Sequence, residues 1–379
     1  MSFMLITEVR NMNRILVYGL SNHWGGVEAI VMAIVERLAQ YCHFDIIHSN
    51  TPSSYEMKYE NENVQFVHIP TWGSDRKGFT KGLIALLKAT NYDYVWINGC
   101  IMSNVTIVSV VKRYSDAKII THSHGSSFEE KNIIKRWILL GMHYWNRRIY
   151  HKLIDIPCCC SLKSADWFYG KSYTKAHDVY FIKNGVDYKS YKFNPHMRVD
   201  YRKQLNIDRD TLVLFHAGRL TQVKNQCKIL EILQSLVSHG KKTLLLIAGV
   251  GELHDELVAY AAKLGISDKV RFLGMRNDVN HLMQAADAFL LPSFHEGFPV
   301  TIVEAQSAGL PCFVSENLSH EVDITNSVKF VSIESDAEIW CKEIELFDNE
   351  KREHISALVK QHGYDIVYVV NDFKKRLML

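Results

Sequence analysis

Glu296 and Glu304 bracket the stretch of this sequence richest in reactive side chains. A carboxylate accepts hydrogen bonds from sugar hydroxyls, and these two stand on either side of an expected helix start. The apolar run from Ala288 to Pro292 reads as a buried strand. Gly297, Phe298 and Pro299 follow, and Val300 to Gln306 reads as helix, with Pro299 at its first position and Gly309 and Pro311 as its stop. Glu296 then lies in the loop before a helix N-terminus, where free N–H groups favour an anion. Such a site suits a molecule that is part sugar and part phosphate. The helix dipole also favours acids near a helix start without any ligand, so the rest of the chain must decide.

Three further groups bear on that choice. Arg219 and Lys224 flank a loop between the expected strand Thr211 to Gly218 and a following helix. Arginine offers phosphate a planar fork and lysine a mobile point charge; a generic basic loop is the alternative. Gly25 and Gly26 sit between the strand starting at Ile15 and a helix starting at Val27, and adjacent glycines let backbone approach a phosphate closely. The spacing is not that of a dinucleotide-binding GxGxxG loop. His122 and His124 stand at alternate positions near the carboxyl end of a strand that begins at Lys118. Which of them faces a ligand is open at this point.

Strands and helices alternate through both halves of the 379 residues, which implies parallel sheets covered on both faces. Ligands then sit beyond the carboxyl ends of the strands, where each of these groups falls. Residues 1–190 form a first domain ending near Asn184-Gly185-Val186-Asp187, residues 188–209 read as a polar linker and lead-in, and residues 200–362 form a second domain. A last helix runs from about 364 to 379.

The strings Gly218-Arg219-Leu220 with Lys224-Asn225, and Glu296-Gly297-Phe298-Pro299 with Glu304-Ala305 and Ala308-Gly309-Leu310-Pro311, resemble the family-4 retaining glycosyltransferases. Gly25, Gly26 and Glu28 match that family's looser N-terminal Gly-Gly-x-Glu loop. Within the family the chain looks most like bacterial enzymes that build capsular or extracellular polysaccharide. The resemblance implies the α/β GT-B fold, two Rossmann-like domains facing across a cleft, with the last helix crossing back to the first domain. It implies transfer from a nucleotide-sugar, UDP-linked, to a glycan or lipid-linked acceptor. In that scheme Arg219 and Lys224 hold the diphosphate, and Gly25 and Gly26 bring backbone to it. Glu304 binds the ribose, Glu296 the donor sugar with the N–H groups of Gly297 and Phe298, and backbone near Gly274 and Met275 the base. A histidine, His124 or His122, lies near the transferred sugar, and no metal or other cofactor is required. An epimerase on the same fold and a catalytically silent partner subunit are the alternatives; intact Arg219, Lys224, Glu296 and Glu304 argue against silence.

Composition limits the remaining classes. Net charge is only +3, so nucleic acid is not an evident partner. The charge is uneven: residues 1–190 hold 22 Lys and Arg against 16 Asp and Glu, and the remainder 22 against 25. Eight cysteines without a CxxC pair, three of them in the apolar run Cys158-Cys159-Cys160, read as reduced thiols of a cytoplasmic protein. Residues 1–11 lack the pattern of a signal peptide and read as an extension, and no apolar stretch is long enough to span a membrane. The one Asp-x-Asp, Asp208-Arg209-Asp210, precedes a strand, the wrong end for a donor site. The segment from Phe128 to Lys152 mixes Lys131, Lys135, Arg136, Arg147, Arg148 and Lys152 with tryptophan and aliphatic residues. It reads either as a core-facing helix with a solvated basic face or as a helix at a membrane interface, the inner face of the cytoplasmic membrane if the acceptor is lipid-linked.

Overall fold

The computed structural model describes residues 12–53, 55–126, 130, 132–346 and 352–379. Seven strands make the first sheet: β1 Asn13–Tyr18, β2 Cys42–His48, β3 Val64–His68, β4 Tyr94–Gly99, β5 Lys118–Ser123, β6 Ile156–Cys159 and β7 Tyr180–Phe181. Six make the second: β8 Leu212–Ala217, β9 Thr243–Ala248, β10 Val270–Phe272, β11 Ala288–Leu291, β12 Cys312–Ser315 and β13 Val328–Val331. The orders are β3-β2-β1-β4-β5-β6-β7 and β10-β9-β8-β11-β12-β13, and every strand pairing within them is parallel. Central strands such as β9, buried at all six positions, are continuous apolar runs because helices cover both faces. Each sheet reverses its winding beside its first strand, between β1 and β4 and between β8 and β11. That reversal opens a crevice at the carboxyl edge, and the two edges face each other.

Several expectations change. The segment 188–209 is not a plain linker. It contains the helices Tyr188–Tyr191 and Pro195–Gln204. Asn194 caps the second with its side chain and Pro195 opens it, a start signal that the helix's many charges had masked. Arg198 and Arg202 reach from this helix to the Asp287 carboxylate and to carbonyls ending the helix Val279–Ala285. Pro299 is the N-cap, with backbone still extended, and helix begins at Val300. The segment expected from Phe128 is a single helix, Ile133–Leu153; Phe128 and Lys131 lie outside the described residues, as does the extension 1–11.

The chain passes between the domains twice, side by side. Val186 donates to the Tyr364 carbonyl (3.0 Å) and accepts from the Ile366 amide (2.8 Å). The final helix, Ile366–Arg376, then lies on the first domain, where Ile366, Val369, Val370 and Phe373 join the cluster that contains Ile15, Val17, Ile30 and Trp96.

Arg352 fixes the far end of the helix Val300–Ser307. Buried at the start of the helix Arg352–Gln361, it donates to the carbonyls of Met283 (3.1 Å), Ala286 (2.9 Å) and Ala308 (2.8 Å). Burial pushes its guanidinium down to about 9. Gly309 has φ +70, and a Cβ there would lie 2.3 Å from the Arg352 carbonyl oxygen. Arg352→Met removes this donor from the buried carbonyls of Met283 and Ala308, while Ala286 keeps Arg198, and is expected to destabilise the second domain by about 3 kcal/mol. Urea unfolding followed by tryptophan fluorescence measures this; an unchanged midpoint would refute the role.

Candidate active site

Two loops at the carboxyl edge of the second sheet are joined by side chain and backbone. After β8, Gln222–Lys224 forms one 3-10 turn and Asn225 adopts left-handed backbone, φ 53. Asn225 Nδ2 donates to the Pro292 carbonyl (3.2 Å), and the Phe294 backbone amide to that of Val223 (2.9 Å). Lys224 Nζ meets Glu296 Oε1 at 2.5 Å, both side chains being mostly buried. The sequence separates these two residues by function; the structure makes them an ion pair. Arg219 is exposed on the same loop. Beneath lies His216, fully buried, with Nδ1 2.9 Å from the Leu290 carbonyl and Nε2 3.2 Å from the Gln226 side-chain amide. Burial pushes this imidazole down to about 4, so it is a neutral prop for the Lys224 loop.

The first domain closes on these loops through backbone. A Cβ on Gly297 would stand 2.1 Å from the His124 carbonyl oxygen, so only glycine permits the approach. Ser126 Oγ donates to the Glu296 carbonyl (2.9 Å), and Asn184 Nδ2 to that of Phe298 (2.6 Å). Gly25 caps the helix Gly26–Leu38 in extended conformation. Glu28 accepts from the Ser21 amide (2.8 Å) and so shapes the glycine loop. A Cβ on Gly26 would come 4.0 Å from Val300 across the cleft.

The two histidines separate clearly. β5 extends through His122, whose ring is fully buried against Trp96, with neither nitrogen hydrogen-bonded among the described residues. His122 thus belongs to the interior, one residue before the strand ends, and does not face a ligand. His124 follows the strand at the cleft, its ring 3.9 Å from that of His122. Its Nε2 lies 2.8 Å from Asn98 Oδ1, while Asn98 Nδ2 points to the Tyr18 carbonyl. Asn98 therefore accepts the Nε2 proton and leaves Nδ1 as the lone-pair nitrogen. Burial pushes His124 down to about 3, so the ring is neutral at any physiological pH.

Glu304 lies in the helix behind the Glu296 loop and accepts from the Tyr191 hydroxyl (2.8 Å). Burial raises its carboxyl to about 7 against the hydrogen bond, which lowers it. Gly274 has φ +66 beyond β10 and accepts from the Gly249 amide at the end of β9 (2.8 Å); Met275 beside it is exposed. Phe298 is buried and stacks on Tyr364. Asp208 and Asp210 are held by Lys242 at 2.7 and 2.9 Å at the amino end of β8, away from the cleft.

Sequence reasoning missed Asn98, Ser126, Asn184, Tyr191 and His216. Asn184 carried a signal in its Asn-Gly turn; the others act through contacts between distant segments.

Gly297→Ala tests the closing contact. The added methyl collides with backbone, so the loop or the domain must move. Turnover is expected to fall by roughly two orders of magnitude, in line with a misplacement of about 1 Å, with little change in melting temperature. Wild-type turnover in this variant would mean that the contact is not needed.

Residues 197–361 match the sequence family described as glycosyl transferases group 1. The putative glycosyltransferase EpsF of Bacillus subtilis (strain 168) is 26% identical over 349 residues, 90% of each chain. An Escherichia coli enzyme, UDP-Gal:alpha-D-GlcNAc-diphosphoundecaprenol alpha-1,3-galactosyltransferase, is 30% identical over 240 residues, 62% of this chain and 60% of that one. Among solved structures, Anabaena HepE in complex with UDP-glucose superposes with a TM-score of 0.77 at 18% identity, over 96% of this chain and 99% of that one. WaaG, a glycosyltransferase involved in lipopolysaccharide biosynthesis, gives 0.65 at 18% identity, over 94% and 93%. The fold is GT-B, and residues 197–361 carry a domain similar to the glycosyl transferases group 1 family.

Proposed function

We propose that the protein is a retaining glycosyltransferase that moves a sugar from a UDP-sugar to a lipid-linked glycan in the assembly of capsular or extracellular polysaccharide. The observation that carries this reading is the Lys224–Glu296 pair at 2.5 Å, held at the carboxyl edge of one sheet and faced by the backbone of the other. A cation and a carboxylate in contact suit a donor whose diphosphate and sugar meet at one bond. The name of the Escherichia coli relative supports a diphosphoundecaprenol-linked acceptor, and the HepE complex supports UDP-glucose-like donors.

In this mechanism Lys224 and Arg219 hold the diphosphate and stabilise negative charge as the bond from sugar C1 to the β-phosphate oxygen breaks. Gly25 and Gly26 bring backbone N–H groups to the phosphate, at a helix N-terminus. Glu296 accepts from donor-sugar hydroxyls, with the N–H groups of Gly297 and Phe298 beside it. Glu304 accepts from the ribose, and backbone at Gly274 and Met275 borders the base. The acceptor hydroxyl attacks from the face that the phosphate leaves, and the departing phosphate oxygen takes its proton. Neutral His124 presents Nδ1 toward the sugar as a hydrogen-bond acceptor. The cationic work falls to Arg219 and Lys224, so the reaction needs no metal.

Lys224→Ala and Arg219→Ala are each expected to lose about 2–4 kcal/mol of transition-state stabilisation, roughly 10²–10³ in kcat, with the fold intact. A screen of UDP-sugars against wild type and both variants measures this; turnover within tenfold of wild type in both would remove the clamp.

Glu304 gives a pH prediction. Its folded carboxyl, at about 7, stands above its ordinary 4.5, so it takes up a proton on folding and its contribution to stability is lost as pH rises through that interval. The ribose hydroxyls donate to the ionised form, so UDP binding should release a proton and tighten as pH rises through about 7. Calorimetry in buffers of different ionisation enthalpy reads the release, and Glu304→Gln should abolish it. Release of equal size in that variant would show that Glu304 is not the ribose acceptor.

A further inference from the structure

The helix Ile133–Leu153 is packed the opposite way from an ordinary amphipathic helix. Its buried residues are His143, Asn146 and Tyr150. His143 Nδ1 accepts from the Met102 amide (3.0 Å) and Asn146 donates to the Met102 carbonyl (2.8 Å). Arg147 turns inward with them and donates to the Phe168 (3.0 Å) and Trp167 carbonyls. The outward side carries Ile134 at 69% exposure, Trp137 at 69%, Ile138 at 57% and Trp145 at 66%. Water is therefore in contact with the apolar stripe and the protein with the polar one. The helix meets the core through His143, Asn146 and Tyr150, and Lys135, Arg136, Arg148 and Lys152 are solvated, but Arg147 is a structural residue rather than a surface cation.

The surroundings supply the charge. The apolar cluster on this face of the first sheet takes in the short helix Leu162–Phe168, which carries Asp166, and three longer ones, Arg76–Ala89, Thr106–Tyr114 and Ile133–Leu153. The three longer helices carry four, two and five Lys or Arg, and none of the three has an Asp or Glu within its bounds. Asp155, beyond the third helix, pairs with Lys112, and Glu130, before it, with Lys135. On the opposite face the helices include Glu36 and Asp372. Exposed tryptophans beside a predominantly basic face match the chemistry of an anionic lipid surface, with rings at headgroup level and cations over lipid charge.

We infer that this face docks peripherally on an anionic bilayer, with Ile134, Trp137, Ile138 and Trp145 inserted. The inserted end is the one nearer the cleft: the helix follows the segment containing His124 and Ser126, and Ser126 bonds to the Glu296 carbonyl. Docking so oriented sets the cleft's first-domain rim against the membrane. The docking itself stands on exposure and charge; its use, delivery of a lipid-linked acceptor, rests on the reaction proposed above.

The test is sedimentation of the full chain with vesicles of phosphatidylglycerol in phosphatidylcholine, and of phosphatidylcholine alone, at low and high salt. The protein should bind the anionic vesicles at low salt, release from them at high salt, and ignore the neutral ones. Arg136→Gln, Arg148→Gln and Lys152→Gln together should weaken binding about a hundredfold, near fivefold for each cation. Trp137→Ser with Trp145→Ser should also weaken it, and Lys203→Gln in the second domain should not. All these side chains are exposed, so circular dichroism should be unchanged. No binding to anionic vesicles, equal binding by the variants, or a wild-type dimer in size-exclusion chromatography that the tryptophan variants dissolve would each overturn the assignment. Turnover on a soluble acceptor, measured in parallel, separates the two proposals: vesicle binding without turnover sinks the reaction and spares the surface, and turnover without vesicle binding does the reverse.

Discussion

The approach of Gly297 to the His124 carbonyl is the contact on which the cleft's geometry depends. Two parallel sheets each place reactive loops at a carboxyl edge, but neither edge alone assembles the site. A backbone-to-backbone contact, closer than any side chain permits, brings them together. Ser126 and Asn184 then bond to the carbonyls on either side of that glycine. The Glu296 loop is thereby held from the first domain as well as from Lys224 in its own. Removing a charge at this site and moving a domain are thus not independent events.

The ion pair explains how such a loop keeps two mostly buried charges. Glu296 and Lys224 compensate each other, and the turn that carries Lys224 is fastened by Asn225 and Val223 to the loop that carries Glu296. Among the described residues Glu304 has no cation beside it, only the Tyr191 hydroxyl, so burial raises its proton affinity instead. Two glutamates eight positions apart in sequence therefore present different acid–base characters within one site.

What could be read in advance follows the range of the interactions. Alternating apolar runs and turn residues indicated both sheets, and local strings around Arg219, Lys224, Glu296 and Glu304 indicated the loops at their edges. The charged helix Pro195–Gln204 was taken for linker because its anchor, Asp287, lies far along the chain. For His122 and His124, alternation put both near a strand end, and only the length of β5 decided which is interior. In the helix Ile133–Leu153, periodicity revealed two faces but not which one meets the protein. That choice depends on Met102, Trp167 and Phe168, whose backbone groups needed polar partners. Hydrophobicity alone would have chosen the other face.

The returning helix has a consequence for biosynthesis. Ile366, Val369, Val370, Phe373 and Leu377 fill the cluster that β1 and the helix Gly26–Leu38 begin, and the Tyr94 hydroxyl is bound by the Leu377 carbonyl at 2.6 Å. A ribosome therefore releases the first sheet with one flank of its core uncovered, and translates the whole second domain before the missing segment emerges. Domains generally fold in the order in which they are made; here the earlier one stays incomplete until the later one has been synthesised. The nascent first domain keeps that apolar flank open to water throughout that interval, and its completion is timed by the length of its neighbour.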